Sequence, residues 1–249
     1  MRFAGRVALV TGGGTGIGRA TAEAFAAEGA TVVVAGLDEE PLRQTVKAIE
    51  AAGGEASSIV LDVTDEAAVA EMVATTAQRH GGLDVAFNNA GVMVGGRVAD
   101  LEAADWARAL SVATGTWLSM KHEIRFMREH GGGAIVNISS IIGPHKSIPA
   151  TGGYAAAKAA ITALTKTAAL EHIRDGIRIN AVSPGPIATP LSLIRGETEA
   201  QQAERMKTTL PIGRIGAVEE VARAVLWLAS PDSSFTVGAD LVLDGGATA

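Results

Sequence analysis

The sequence predicts an α/β fold in which about seven parallel strands form one doubly wound, Rossmann-type sheet with helices on both faces. Three observations predict it. Short β-branched or apolar runs recur along the 249 residues, alanine-rich stretches of helix length separate them, and several of those stretches stop at glycine. Runs that are apolar throughout, rather than alternating, suit strands covered on both faces, as in a parallel sheet.

The first strand is VALVTG (7–12), and GIGRATAEAFAAEG carries the chain as a helix to the second, TVVVAG (31–36). EEPLRQTVKAIEAAGG then leads to ASSIVLD (56–62), and DEAAVAEMVATTAQRHGG leads to LDVAFN (83–88). GAIVNIS (133–139), IRINAVS (177–183) and the closing ADLVLDGG (239–246) complete the series. The first six strands are each expected to be buried on both faces, and their alternation with helices makes βαβ units. No Pro- or Ser-rich linker or change of composition interrupts residues 1–249, so they read as a single domain. The rhythm breaks once, at residues 190–216, which read as a helical insertion before the last helix (217–229) and are expected to cover a ligand at the carboxyl edge of the sheet. Within it, Leu191, Leu193, Ile194 and Met206 either line a lid or bury the insertion against the body.

Composition narrows the function. A formal net charge of −6 without runs of like charge argues against nucleic acid or an anionic membrane as partner. The absence of cysteine rules out disulfides and thiolate catalysis, and five scattered histidines in no metal-binding spacing argue against a zinc site. The chain begins without a signal-like pattern and contains no membrane-length apolar run, so a cytoplasmic location is expected.

Two stretches carry chemistry. TGGGTGIG, from Thr11 to Gly18, lies between the first strand and first helix and fits T-G-x-x-x-G-x-G on Gly12, Gly16 and Gly18. Such a turn brings bare backbone and helix N-terminal N–H groups to a pyrophosphate. TGGYAAAKAA (151–160) contains the chain's one tyrosine, Tyr154, with Lys158 four residues later on the same helical face. A cation beside a phenol favours the phenolate, which suits proton exchange near neutrality; alternatively the ring is simply core, with the lysine reaching past it to water.

Taken together, TGGGTGIG, NNAG (88–91), NISS (137–140), YAAAK (154–158) and SPGPIATP (183–190) resemble the classical short-chain dehydrogenase/reductase family, in family order and over residues 5 to 246. The resemblance implies a NAD(P)-dependent oxidoreductase acting on a secondary alcohol or ketone. Tyr154 would be the proton-transfer residue, Lys158 would lower its pKa and hold the nicotinamide ribose, and Ser140, rather than Ser139, would orient the substrate oxygen. Cofactor contacts would come from Gly12, Thr15, Gly16, Ile17 and Gly18 in the turn and from Asp62 with Val63 ending the third strand. Asn89, Ala90 and Gly91, then Pro184, Gly185, Ile187 and Thr189, would supply the rest. For Asn88 and Asn89, capping of the strand end is a second role. The resemblance also implies a homotetramer, with the last helix and closing strand at an interface.

The sequence departs from the family in three places. Ser140 precedes Tyr154 by 14 residues, one more than the commonest spacing, which places the extra residue in GPHKSIPATGG, where His145 and Lys146 either touch substrate or face solvent. The helix-four asparagine of W-x6-N-x-x-G is missing: counting from Trp106 reaches Ala113, and counting back from Gly115 reaches Val112. In the family that side chain helps hold a water joining the lysine to solvent; Ser111, Thr114 or a backbone carbonyl would have to take over. Finally, the second strand is followed by Leu37 and Asp38, with no basic residue for a 2′-phosphate. Asp38 therefore favours NAD, with NADP the open alternative and helix capping its other role. The expected substrate is a small or medium apolar alcohol or ketone, cyclic ones included. A non-redox acid/base enzyme and a dinucleotide-binding regulator on the same scaffold are the alternatives.

Overall fold

The computed structural model describes residues 1–189, 192 and 196–249, so the expectations for Leu191, Leu193 and Ile194 lie outside the described residues. Seven strands form one parallel sheet in the order β3-β2-β1-β4-β5-β6-β7: β1 (Val7–Thr11), β2 (Thr31–Gly36), β3 (Glu55–Val60), β4 (Val85–Asn88), β5 (Gly133–Ile138), β6 (Ile177–Pro184) and β7 (Asp240–Leu243). Between them run α1 (Gly16–Ala27), α2 (Glu39–Ala51), α3 (Glu66–His80), α4 (Ala103–Glu129) and α5 (Gly152–His172), with α6 (Glu199–Thr209) and α7 (Val218–Ala229) between β6 and β7.

Alternate residues of each inner strand serve opposite faces. Ala8, Val10, Val32 and Val34 pack with Phe25 of α1, Leu42 of α2 and Val225 of α7. Leu9, Val33 and Ala35 pack with Met72 of α3 and Ile124 of α4 on the other side. One expectation fails at the margin. β3 is the outermost strand, and its residues run from half-buried to exposed instead of being covered on both faces, because a sheet edge has a neighbour on one side only. The strand also stops at Val60, two residues short of Asp62.

Strand order reverses between β1 and β4, where successive connections leave the sheet in opposite directions and open a crevice at the carboxyl ends. Both chemical stretches lie there. No helix of the described residues is long and apolar enough to cross a membrane.

Candidate active site

The glycine turn is shaped by backbone contact. Gly12 and Gly16 have φ of 62° and 51°, conformations that side chains resist. Gly18 sits so close to Gly12 that a Cβ would lie 2.1 Å from the Gly12 carbonyl oxygen. Gly18→Ala is expected to force the turn open and cost about 2 kcal/mol, a typical overpacking penalty; an unchanged melting temperature would contradict that. The turn is stitched to the end of β4. The Thr11 hydroxyl accepts from the amides of Asn89 and Ala90 at 3.0 and 3.2 Å, and Asn89 Nδ2 donates to Gly12 O at 3.1 Å. Thr189 completes the mouth from across the crevice, with its Cγ2 3.3 Å from where a Gly16 Cβ would lie.

Thr15 is the extended N-cap residue of α1, exposed, and its hydroxyl makes no cap bond. Asp38 holds the same position on α2 and is likewise exposed without a side-chain cap bond, so the capping role considered for it is not realised. Asp62 is exposed beyond the end of β3 and accepts from the Thr64 amide and hydroxyl, both at 2.8 Å. Its neighbour Val63 packs on α4 at Gly115, where a Cβ would meet Val63 Cγ2 at 2.6 Å.

Helix α5 is fastened to β5 by a row of polar contacts one turn apart. Lys158 Nζ donates to Ile138 O at 2.9 Å, Ser139 Oγ donates to Lys158 O at 3.0 Å and pairs with the Thr162 hydroxyl at 2.8 Å, and Asn137 Nδ2 donates to Thr165 Oγ1 at 2.9 Å. Ser139 is thereby committed to the scaffold. Its neighbour Ser140 lies near enough to Tyr154 to favour the phenolate slightly and accepts from the Ile142 amide at 3.1 Å. Lys158 Nζ lies 5.7 Å from the centre of the Tyr154 ring.

The electrostatics correct one expectation. Tyr154 is only 8% exposed, and burial raises the phenol above its ordinary value of 10.0, with Ser140 pulling partly the other way. Burial also brings the Lys158 ammonium, 3% exposed, down to about 7. In this chain by itself the lysine therefore does not produce a phenolate, because low-dielectric walls penalise both charged forms.

The structure shows what surrounds the two positions, Val112 and Ala113, on which the family asparagine would fall. Gly115 must be small against Val63, and Val112, three residues earlier, is buried, as is Ala113. A Cβ on Gly91 would lie 3.6 Å from Val112 Cγ1 and 4.0 Å from Lys158 Nζ, so Val112 and Lys158 both border Gly91. Ser111 and Thr114 do not take over: their hydroxyls turn back to Arg108 O and Leu110 O of their own helix. His145 and Lys146 also depart from their possible substrate-facing role and bind Asp240 and Ala247 O instead. Asn88 does not cap its strand with its side chain; its amide donates inward to Glu123 and Asn137.

Ile17, Asn89, Gly91, Ser140, Tyr154, Lys158, Pro184, Gly185, Ile187 and Thr189 line one cavity of about 700 Å³. Sequence reasoning missed most of its far wall, which is made by Val92, Met93, Ile142, Ile148 and Arg205, although it did single out Met206. Arg205 grips Glu197 with two bonds of 2.7 and 2.8 Å, so the cation is balanced at the wall. Only an alternation of Val, Ile and Met in loops hinted at such a surface.

A solved short-chain type dehydrogenase/reductase from Mycobacterium marinum superposes with a TM-score of 0.90, at 34% identity over 99% of this chain and 96% of the other. The chain belongs to the short-chain dehydrogenase/reductase family. A family model described as enoyl-(acyl carrier protein) reductase matches residues 12–248. The cis-4-hydroxycyclohexanecarboxylate dehydrogenase of Sinomonas cyclohexanicum is 42% identical, covering 99% of this short-chain dehydrogenase/reductase and 98% of the relative. The cyclohexanol dehydrogenase of Acinetobacter sp. strain SE19 is 41% identical over 99% and 96%. The protein is thus an oxidoreductase of this family, whose members use a nicotinamide cofactor.

Proposed function

We propose that the protein is a NAD-dependent dehydrogenase of alicyclic secondary alcohols, acting also as reductase of the corresponding ketones. The observation that carries this is the placing of Ser140, Tyr154 and Lys158 together on the floor of a largely apolar cavity. Relatives that act on hydroxylated six-membered carbon rings support the substrate class.

The chain has room for the cofactor. Glycines 12, 16 and 18 leave bare backbone where a Cβ would intrude, and the first amides of α1 have no helical partners. Gly12 to Gly18, with Thr15 and Ile17, would hold the pyrophosphate, and Asp62, Val63, Asn89, Ala90 and Gly91 the adenosine side. Pro184, Gly185, Ile187 and Thr189 would orient the nicotinamide, with Tyr154 and Lys158 at its ribose. When bound, the oxidised nicotinamide accepts the hydride and adds a positive charge near the phenol. Tyr154, raised by burial in the chain alone, would with that charge beside it release its proton to solvent, and the resulting phenolate oxygen would take the alcohol proton as the carbinol carbon loses hydride. Ser140 accepts from the Ile142 amide, so its own proton is available to donate to the substrate oxygen. In reduction the same groups run backwards, and Tyr154 supplies the proton.

Asp38 at the adenosine ribose would accept from both hydroxyls and repel a 2′-phosphate. Titration with NADH and NADPH, followed by cofactor fluorescence and melting temperature, is expected to give clearly tighter binding of NADH. Preference for NADPH would refute the Asp38 assignment, and binding of neither would return the site to the regulatory or non-redox alternatives. With NAD present, oxidation of cyclohexanol tests the substrate class directly.

Residues around α6 belong to this proposal as the substrate cover: Met206 is buried, and Met206, Arg205 and Ser192 face the cavity. A homotetramer is proposed on the exposed aromatic surface. Phe235 is fully exposed and Trp227 of α7 partly so, and Trp106 and Trp117 of α4 and Leu170 of α5 are also exposed. Light scattering of the purified protein measures the assembly.

A further inference from the structure

We propose that His145 is a positioning residue: through the buried carboxylate of Asp240 it holds the hairpin that orients the Ser140 hydroxyl. The kinetic part of this inference rests on the function proposed above, whereas the contact itself does not.

Residues 141–146 make a tight turn directly after Ser140. The amides of His145 and Lys146 both donate to Ile141 O, at 3.1 and 2.8 Å, and the Gly143 amide donates to Lys146 O at 2.9 Å. Gly143 has a φ of 108°, and a Cβ there would come within 2.3 Å of Ala155 O, so the turn lies flat against α5 immediately beside Tyr154. The turn has no strand or helix of its own to fix it. Its tip is fixed by contacts to the far end of the chain, His145 Nε2 to Asp240 Oδ2 at 2.8 Å and Lys146 Nζ to Ala247 O at 3.2 Å.

Asp240 explains why the imidazole matters. Its side chain is only 4% exposed, on the first residue of β7. Ser183 Oγ donates to Oδ1 at 2.6 Å, and Thr162 Oγ1 reaches Oδ2 at the long distance of 3.4 Å. Among the described residues no lysine or arginine pairs with it, which leaves His145 as the one partner that can bring charge as well as an N–H. A carboxylate buried to this degree is costly unless donors surround it, so it holds whichever donor reaches it firmly.

The consequence reaches the reaction through one amide. Ile142, inside the turn, donates its N–H to Ser140 Oγ, and this leaves the serine proton pointing away, toward phenol and substrate. The same residue's side chain forms part of the cavity wall. Loss of the grip on Asp240 would free the turn to swing, deprive Ser140 of its donor and widen the wall at once. Misplacement of a catalytic group by a fraction of an ångström is enough to slow a reaction about tenfold or more.

The test uses the full chain with His145→Ala, His145→Gln and Asp240→Asn. Hydrogen exchange in segment 141–148 of the cofactor-free protein is expected to speed up in H145A and D240N and to return to the wild-type rate in H145Q, whose side-chain amide can still donate to the carboxylate. With cyclohexanol and NAD, kcat is expected to fall about tenfold in H145A, while NADH affinity is unchanged and H145Q recovers most of the rate. Wild-type exchange in H145A would overturn the inference, and so would a loss that glutamine does not restore, because the contact would then be packing of the ring and not its N–H. Exchange needs no substrate. Failure of the wild-type enzyme to oxidise any ring alcohol would therefore sink the functional proposal, leaving the His145 contact to be decided by exchange.

Discussion

Tyr154→Phe is expected to lower kcat for ring-alcohol oxidation by about a thousandfold, with little change in melting temperature or NADH affinity. The ring is almost completely buried, and phenylalanine fills the same space, so the core around it is kept. What disappears is the hydroxyl beside Ser140, that is, the group that would accept the alcohol proton. Lys158 cannot substitute, because its ammonium is turned to the Ile138 carbonyl at 2.9 Å. Activity within tenfold of wild type would show that water or another group carries the proton and would defeat the assignment of Tyr154. Parallel measurement of melting temperature keeps a folding defect from being mistaken for lost chemistry.

Glu123→Gln is expected to remove a pH dependence of folding carried by this one residue. Glu123 lies on α4 with no exposed surface, and burial lifts its carboxyl from 4.5 to about 7, against a smaller pull from the Asn88 amide. Asn88 Nδ2 donates to Oε2 at 2.9 Å, whereas Oε1 and the Asn88 carbonyl oxygen have no hydrogen-bond partner. Below the unfolded value the carboxyl is protonated in both states and costs nothing. As pH rises past 4.5 the unfolded chain releases the proton and the folded chain does not, so stability declines until about 7 and is level above it. The integrated loss is about 3 kcal/mol.

Glutamine keeps the shape and an acceptor for Asn88 but cannot ionise. Wild type and variant should therefore melt together at about pH 4, and the variant should be the more stable by several degrees at about pH 8. Carboxyls held low by partners, such as Glu220 at about 2 beside Arg214, lose their stabilisation in acid instead. They are common to both proteins and drop out of the difference. Parallel stability curves from acid to alkaline pH would show that Glu123 has no raised pKa.

The strands were legible because buried parallel strands write themselves as uninterrupted Val, Ile and Ala: VALVT, TVVVAG and IRINAVSP all begin at the expected residue. The glycine turn and the Tyr154–Lys158 pair were legible because their chemistry is local, set by one turn of chain or of helix. Long-range partners were not. KHEIRF looks like a solvated stretch of helix, and nothing local says that Glu123 points at Asn88, 35 residues earlier in the chain. His145 looked like a loop residue near substrate, since its carboxylate partner lies 95 residues away. The edge position of β3 depends on strand order, which a single strand's residues do not encode. Val112 and Ala113 could not be told apart by counting, because the spacing from Trp106 and the spacing from Gly115 point to different residues.

The polar row joining α5 to β5 has a consequence for how such an enzyme changes. Lys158, Thr162 and Thr165 lock the helix to Ile138, Ser139 and Asn137, so the residues proposed to handle the proton are tied to the centre of the sheet. Met93, Ile148 and Met206 belong to loops or to α6 and take no part in that row. On the proposed function, preference and reactivity are therefore mechanically separable: loop exchange or saturation mutagenesis is expected to retune which ring enters while the proposed acid/base unit stays aligned.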